Sequence, residues 1–182
     1  MTSADLMALT AGALRAKCRE LGAGFATAAT RWDALTGLFA GPAGLAVVLS
    51  PGGQRVESQE EDLCVAEEEI LVIVGKSLAP TADPGEELWK GVGQGEAFLK
   101  TLEALRVAVQ SVALPAGETS GFWRFRGREG VEVEGAPFPA FELRFSCDAS
   151  VDAETGEAAW IAGGENPDEN DLEDNNQQEN ET

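Results

Sequence analysis

Two apolar runs separated by a long acidic stretch constrain the fold of this chain more than any other feature. Residues 45–49 (LAVVL) and 70–74 (ILVIV) have the length and composition of strands buried on both faces, so both are predicted to be central in a sheet. Residues 51–69 between them contain one proline, two glycines and seven carboxylates. Because a hairpin needs only about two to five loop residues, this stretch is predicted to be a long solvated connection, in which only residues 65–69 extend the second strand outward.

Apolar residues at helical spacing predict a helix on each side of this strand pair. The first helix ends at the glycines of residues 22–24, and its stripe is Met7, Ala11, Leu14, Cys18 and Leu21. The second and clearer helix ends before Pro115, and its stripe is Phe98, Leu102, Leu105, Val109 and Val112. Residues 25–39, with Phe25 on their apolar side, are predicted to form a short additional helix.

Strand patterns dominate the residues that follow the second helix. Residues 123–134 are predicted to form a hairpin whose three-residue loop, 127–129, sets Arg124 opposite Glu132. The segment FELRFSC, residues 141–147, alternates between apolar and other residues and predicts a closing strand.

Together these elements predict an α+β fold, in which a mainly antiparallel sheet of four to five strands carries an N-terminal helix and one long amphipathic helix. Residues 1–150 are predicted to form this domain. Residues 151–182 are predicted to be a disordered acidic tail, because their polar composition cannot bury a core. Within the tail, Trp160 and Ile161 are apolar exceptions that suit a small anchor or a short interaction motif.

The net charge of −19 is unevenly distributed along the chain. Residues 151–182 hold eleven Asp and Glu and no Lys or Arg, which leaves −8 for residues 1–150. Such a surface repels phosphate, so sequence-independent nucleic-acid binding and binding to anionic membranes are disfavoured. No apolar run approaches the length of a transmembrane helix, and Asp5 lies where a signal peptide carries positive charge, so the chain is predicted to be intracellular.

Few groups suited to catalysis are present, because the chain contains no histidine and no tyrosine. This removes the commonest general base, the Ser-His-Asp and Cys-His arrangements and the usual transition-metal ligand. The spacings of Cys18, Cys64 and Cys147 suit neither a disulfide framework nor a zinc site, so all three are predicted to be reduced. No catalytic residue, metal site or cofactor is therefore predicted, and an enzyme would depend on carboxylates, lysines or Cys64.

Charged residues near the strand ends are the candidates for contact with another subunit or a partner. On the connection between the two central strands these are Arg55, Glu57, Glu60, Glu61, Asp62, Glu67 and Glu69. Near one edge of the sheet they are Arg124, Arg126, Arg128 and Arg144. Two interpretations of these arginines stay open. One is contact with an acidic surface on another subunit, and the other is cross-strand pairing within the chain with Glu129, Glu132, Glu134 and Glu142.

The order of the segments along the chain carries a family resemblance. An N-terminal helix leads to GLAVVLSPGGQRVESQEEDL, and EILVIVGKSL, the amphipathic helix AFLKTLEALRVAVQSV and the strand FELRFSC follow. In this order residues 4–148 resemble the tail terminator (tail completion) proteins of long-tailed bacteriophages. The resemblance implies an α+β structural subunit without enzymatic activity, located in the tail or neck of a virion that is assembled in the host cytoplasm.

The resemblance also implies a homo-oligomer, namely a hexameric ring. Such a ring caps the tail tube and then binds the head-tail connector protein, with DNA passing through its channel without specific binding. On this interpretation residues 51–69 reach beyond their own subunit, and acid facing the channel lets like-charged DNA slide. The main alternative is an acidic adaptor or assembly chaperone that binds a basic partner through residues 151–182. An enzyme that uses carboxylates is a third hypothesis.

Overall fold

The described residues form an α+β fold, as the sequence predicts. The computed structural model describes residues 3–27, 44–60, 63–77, 90, 97–113, 122–131, 139–152 and 158–160. The helices and strands are α1 (Ser3–Glu20), β1 (Gly24–Thr27), β2 (Leu45–Glu60), β3 (Leu63–Lys76), α2 (Phe98–Gln110), β4 (Arg124–Val131), β5 (Ala140–Asp152) and β6 (Ala158–Trp160). The strand order in the sheet is β1-β2-β3-β5-β4, and β6 pairs with β5 beyond the start of β4.

One strand pair of this sheet is parallel. β1 runs alongside β2 with Phe25 opposite Val47, whereas the other pairs are antiparallel. The helix predicted for residues 25–39 is therefore wrong at its start, and residues 28–43 lie outside the described part of the chain. The apolar spacing of so short a segment fits a strand as well as a helix, so pairing with β2 decides the outcome.

A glycine cap ends α1 where the sequence predicts. The Ala23 N–H donates to the carbonyl oxygen of Cys18 at 2.8 Å, and the Gly22 N–H donates to that of Arg19 at 3.3 Å. Gly22 has φ 65°, a left-handed conformation that costs glycine little because it has no Cβ. This Schellman arrangement turns the chain sharply from α1 into β1.

The buried face of α1 is rotated from the predicted apolar stripe. Leu14 and Cys18 are buried as predicted and the other stripe members are partly buried, while Leu6 and Thr10 complete the core face. The Thr10 hydroxyl donates to the carbonyl oxygen of Leu6 at 2.8 Å and accepts from the indole N–H of Trp123 at 2.8 Å. An apolar pattern cannot detect a polar residue that is satisfied in this way.

The predicted face of α2 is confirmed, and it packs into the same core as α1. The buried residues of this face are Phe98, Leu102, Leu105, Val109 and Val112. They form one cluster with the buried side chains of α1 and with one face of β2, β3 and β5. Both described helices therefore pack on the same face of the sheet.

The two central strands are buried on both faces, as their unbroken apolar runs predict. The residues that face the helices are Leu45, Val47 and Leu49 of β2 and Ile70, Val72 and Val74 of β3. On the opposite face, the buried residues are Ala46, Val48, Leu71 and Ile73. The closing strand FELRFSC is confirmed within β5, whose Leu143, Phe145 and Cys147 lie in the core.

The solvated connection predicted at residues 51–69 is wrong, because most of it is strand. β2 and β3 stay paired out to Glu60, with register shifts after Pro51 and after Val56 that bend the ladder. β5 accompanies β3 over the same distance, to Asp152. Carboxylates do not prevent this pairing, because backbone groups form the ladder while the side chains point away from it.

We call residues 51–60 of β2 together with residues 63–69 of β3 the arm. The core ends at Leu49 and Ile70, and the side chains of residues 51–55 are exposed. At roughly 3.3 Å per residue, the arm portion of β2 spans about 33 Å. The outward extension predicted for residues 65–69 is thus confirmed. It begins at Leu63, earlier than predicted, and β5 pairs with it on the side away from β2.

The hairpin predicted for residues 123–134 is wrong, because β4 is one continuous strand paired with β5. Arg124 lies opposite Ser146 instead of Glu132. The predicted loop lies inside β4, where a register shift just before Gly127 adds a residue to the ladder. The glycines there resemble a turn signal, but β5 offers a longer partner than a short hairpin would.

The sheet also continues past the predicted domain boundary at residue 150. β5 ends at Asp152, and β6 pairs with it, Trp160 opposite Ala149. Two segments of the predicted tail are therefore strands. The rest of the predicted disordered tail, residues 153–157 and 161–182, lies outside the described residues.

Candidate functional site

Arginines and carboxylates meet where the arm joins the core, on the sheet face opposite the two helices. Arg55 of β2 lies opposite Glu67 of β3, which in turn lies opposite Asp148 of β5. Side chains alternate between the two faces of a strand, so Glu69 and Ser146 share this face one row closer to the core. We call the cluster the arm base, and its members are Arg55, Glu67, Glu69, Arg124, Arg126, Ser146 and Asp148.

Arg126 connects three strands at the arm base. Its Nε donates to Ser146 Oγ of β5 at 2.5 Å, and its Nη2 donates to Glu67 Oε1 of β3 at 2.9 Å. The hydrogen bond from the Ser146 hydroxyl, followed by the contact with Arg126, lowers the pKa of Glu67 below its ordinary value of 4.5. Glu67 is therefore held ionised, and the contact ties β4 to the arm across β5.

Two further arginines pair with carboxylates beside this contact. Arg124 Nη2 lies 2.5 Å from Asp148 Oδ2. Arg144 donates to Glu142 Oε1 at 2.8 Å and to Glu129 Oε2 at 3.0 Å, and the bond with the buried Glu142 is the main cause that raises the pKa of Arg144. The predicted pairing within the chain is confirmed for Arg144, whereas Arg124 takes a partner that was not predicted.

Two adjoining open depressions flank Glu69. The first, of about 250 Å³, is lined mainly by the arm base, and the second, of about 410 Å³, extends from Glu69 to Arg144. The Gly53 N–H donates to Glu69 Oε2 at 3.4 Å, and a Cβ on Gly52 would lie 2.7 Å from the Glu69 carbonyl oxygen. Small-molecule sites are usually enclosed and largely apolar, so these open, charged depressions suit the side chains of another protein surface better.

The structure divides the predicted interface residues into three groups. Those that meet at the arm base are Arg55, Glu67, Glu69, Arg124 and Arg126. Those that lie elsewhere in the sheet are Glu57 and Glu60 in the arm, Arg128 on β4 and Arg144 on β5. Those outside the described residues are Glu61 and Asp62. The arm is therefore connected to the predicted arginine edge by direct contacts.

The thiols of Cys18 and Cys147 are weakly reactive. Burial raises the pKa of Cys18 and of Cys147 to about 12, so both thiols are protonated near neutral pH and are poor nucleophiles. In the described part of the chain, no three His, Cys, Asp or Glu side chains come together in a group that could hold a metal ion. What the arm base offers is a set of oriented charges for binding.

Ser146 and Asp148 belong to the arm base but were not predicted as interface residues. The alternation that assigns faces in FELRFSC places Ser146 on the same face as Arg144, so that signal was available. Asp148 lies just after the predicted strand. It belongs to the sheet, and so to the arm base, because β5 continues to Asp152.

None of the described helices is both long and apolar enough to cross a membrane. Comparison with known protein families gives no match to this chain, and comparison with characterised proteins gives none either.

Proposed function

We propose that this protein is a structural subunit that self-associates into a ring of the tail terminator type, capping a bacteriophage tail tube and joining it to the head-tail connector. The arm is the observation that carries the proposal. Its strand pairing continues about 33 Å beyond the core, while the side chains of residues 51–55 remain exposed. The order of segments along the chain supports the assignment to a phage tail.

Residues 51–55 of the arm add little buried surface to their own subunit. Ordering each residue costs roughly 1–2 kcal/mol of backbone entropy, and each hydrogen bond of the ladder returns about 0.5–1.5 kcal/mol. The last buried core residues before the arm are Leu49 and Ile70, so residues 51–55 bury no side chain in return. Such a segment suits contact with a neighbouring subunit, which would supply the missing buried area.

The arm base supports the same role because it restricts the direction of the arm. Arg126 joins β4 to Glu67 in the arm, and Arg124 joins β4 to the outer part of β5. Exposed ion pairs contribute only about 0–1 kcal/mol each, so their main effect is orientation. A pre-oriented arm loses less conformational entropy when it contacts a neighbour.

The charge of the chain fits a ring through which DNA passes. With a net charge of −19, the surface repels phosphate and lets DNA slide without specific binding. The protein partners of the ring are the tail tube protein and the connector protein. The proposal requires no catalytic activity and no cofactor.

The experiment is a measurement of oligomeric mass for the full chain and for a variant without the arm. Deleting residues 54–67 leaves Gly52 and Gly53 to turn the chain between the core segments of β2 and β3. We expect the full chain to form rings, alone or on purified tail tube, in native mass spectrometry and negative-stain images. The arm deletion should remain folded by circular dichroism and be monomeric.

A full chain that stays monomeric and also fails to bind tail tube would contradict the proposal. A second deletion, of residues 161–182, tests the acidic adaptor hypothesis while keeping β5 and β6. Rings that persist without these residues support the structural role. Loss of partner binding with this deletion, in a chain that forms no ring, would favour the adaptor.

A further inference from the structure

The sheet has two different edges that lie on opposite sides of the subunit. On one side, β1 pairs with β2 only from Ala46 to Leu49, so among the described strands none covers the edge of the arm beyond Leu49. On the other side, β4 is the last strand of the order, and no described strand pairs with its outer edge. Unpaired N–H and C=O groups along such edges are templates for another strand.

β4 is short enough to pair along the arm edge, and the side chains described on the two edges are mostly exposed. The arm portion of β2, residues 51–60, spans about 33 Å, and the eight residues of β4 span about 26 Å. β4 is therefore short enough to pair along the arm strand, beginning beyond Leu49, where β1 no longer occupies that edge of β2. Residues 51–55 and most of residues 126–130 are exposed, and Pro51, which lacks an N–H, is a residue found on edge strands.

The charges of the two edges are complementary. Residues 124–131 carry three arginines and one glutamate, whereas residues 51–60, which form the arm edge, carry one arginine and two glutamates. Arg128 is exposed, and its guanidinium carbon lies 5.5 Å from the ring centroid of Phe141. Opposite charges on facing strands stabilise pairing, and like charges oppose it.

We infer that β4 of one copy pairs with the arm edge of β2 in the next copy, so that the sheet continues from subunit to subunit. This inference rests on the proposed ring. Because the contact joins two different surfaces, it is head-to-tail, and such contacts generate closed rings when the rotation closes. Pairing of β4 with a second β4 would set arginines against arginines and is disfavoured.

The register shifts in the arm add selectivity to this pairing. Shifts after Pro51 and after Val56 bend the outer strand, and a flat, unrelated strand would lose hydrogen bonds there. β4 carries its own shift before Gly127, so it is also an irregular strand. Bulges of this kind protect edges from indiscriminate association, and a partner with the complementary irregularity is needed to cover them.

The test combines oligomeric mass with hydrogen exchange on the full chain. We expect peptides covering residues 54–60 and 124–131 to gain amide protection when monomers associate. Arg128→Glu should raise the dissociation constant about tenfold, because it replaces an attractive cross-strand pair with a repulsive one. Lys100→Glu makes the same charge change on the exposed side of α2 and should shift the constant less than about twofold.

Several results would overturn the inference. Rings that form with protection elsewhere and with no effect of Arg128→Glu would leave the proposed function standing and remove this interface. Protection of β4 alone would indicate β4–β4 pairing. Protection that appears only when tail tube is added would indicate that the tail tube protein, and not a second copy of this chain, binds these edges. A chain that remains monomeric at every concentration and binds no tube would remove both the interface and the ring.

Discussion

Replacing Thr10 by valine tests the contact that joins the first helix to the last part of the sheet. The Thr10 hydroxyl accepts the indole N–H of Trp123 at 2.8 Å, and the two residues are 0% and 2% exposed. Valine has nearly the shape of threonine, so little cavity forms. The indole N–H, however, loses its acceptor in a place that water does not reach. We therefore expect a destabilisation of about 1–3 kcal/mol.

The measurement is urea denaturation followed by far-UV circular dichroism, with the denaturant slope checked for constancy. Thr10→Ser is the matched control, because it keeps the hydroxyl and removes one methyl group, at a cost of about 0.8 kcal/mol. In a Trp123→Phe background the indole donor is absent, so Thr10→Val should cost far less than in the wild type. An equal cost in both backgrounds, or no cost in either, would refute the role assigned to this hydrogen bond.

Three further predictions concern the core, the arm and the arm base. Leu105→Ala should lower the free energy of unfolding by about 2–5 kcal/mol in the same assay, because this side chain is 0% exposed in the core. Gly52→Ala should destabilise the chain, because its Cβ would lie 2.7 Å from the Glu69 carbonyl oxygen, whereas Gly12→Ala, with nothing within 4 Å, should stabilise α1 by about 0.5–1 kcal/mol. Because its pKa is lowered on folding, ionised Glu67 stabilises the fold above its ordinary pKa of 4.5, and this contribution is lost as the pH falls through the lower, folded value. Glu67→Gln should therefore be less stable than the wild type near neutral pH and approach it in acid, as denaturation at several pH values will show.

Each of these predictions has a result that contradicts it. Full stability of Leu105→Ala would mean that the buried face of α2 is misassigned. Equal effects of Gly52→Ala and Gly12→Ala would remove the close approach as the reason for glycine in the arm. A stability difference for Glu67→Gln that does not change with pH would show that the carboxylate charge is not what stabilises.

The predictions from sequence that succeeded concern elements whose burial is indicated by the pattern of apolar residues within one segment. The apolar spacing of α2 identified its core face, because successive turns of one helix contact the same surface. The unbroken run Ile70–Val74 indicated a strand buried on both faces, and this holds. The glycine end of α1 was equally local, since a positive φ at Gly22 depends only on the cap.

The predictions that failed concern segments whose structure depends on a distant partner. The arm was predicted to be a loop from its carboxylates, yet β5, far along the chain, pairs with β3 and extends the sheet. The hairpin predicted within residues 123–134 failed for the same reason, since β5 also takes β4 as its neighbour. The burial of Thr10 was not predicted, because the residue that satisfies its hydroxyl, Trp123, is remote in sequence.

The candidate site shows the same division. Of the charged residues that the sequence predicted as interface candidates, five meet at the arm base: Arg55, Glu67, Glu69, Arg124 and Arg126. The sequence did not indicate their partners, because Arg126 and Glu67 are 59 residues apart along the chain and meet only when β4 and β3 join the same sheet. Asp148 entered the site only through the register of β5, whereas the strand alternation in the sequence already placed Ser146 on the face of Arg144.

By itself, the sequence determined the α+β class, the apolar faces of α2 and the central strands, and the strong excess of negative charge. The tertiary structure alone decided that the acidic stretch is a paired arm, that β1 runs parallel to β2, and which carboxylate each arginine holds. The physical reason is that burial imposes a pattern on neighbouring residues, which can be read along one segment. Strand pairing depends on backbone groups that every residue carries, so the partner is settled only when distant segments come together.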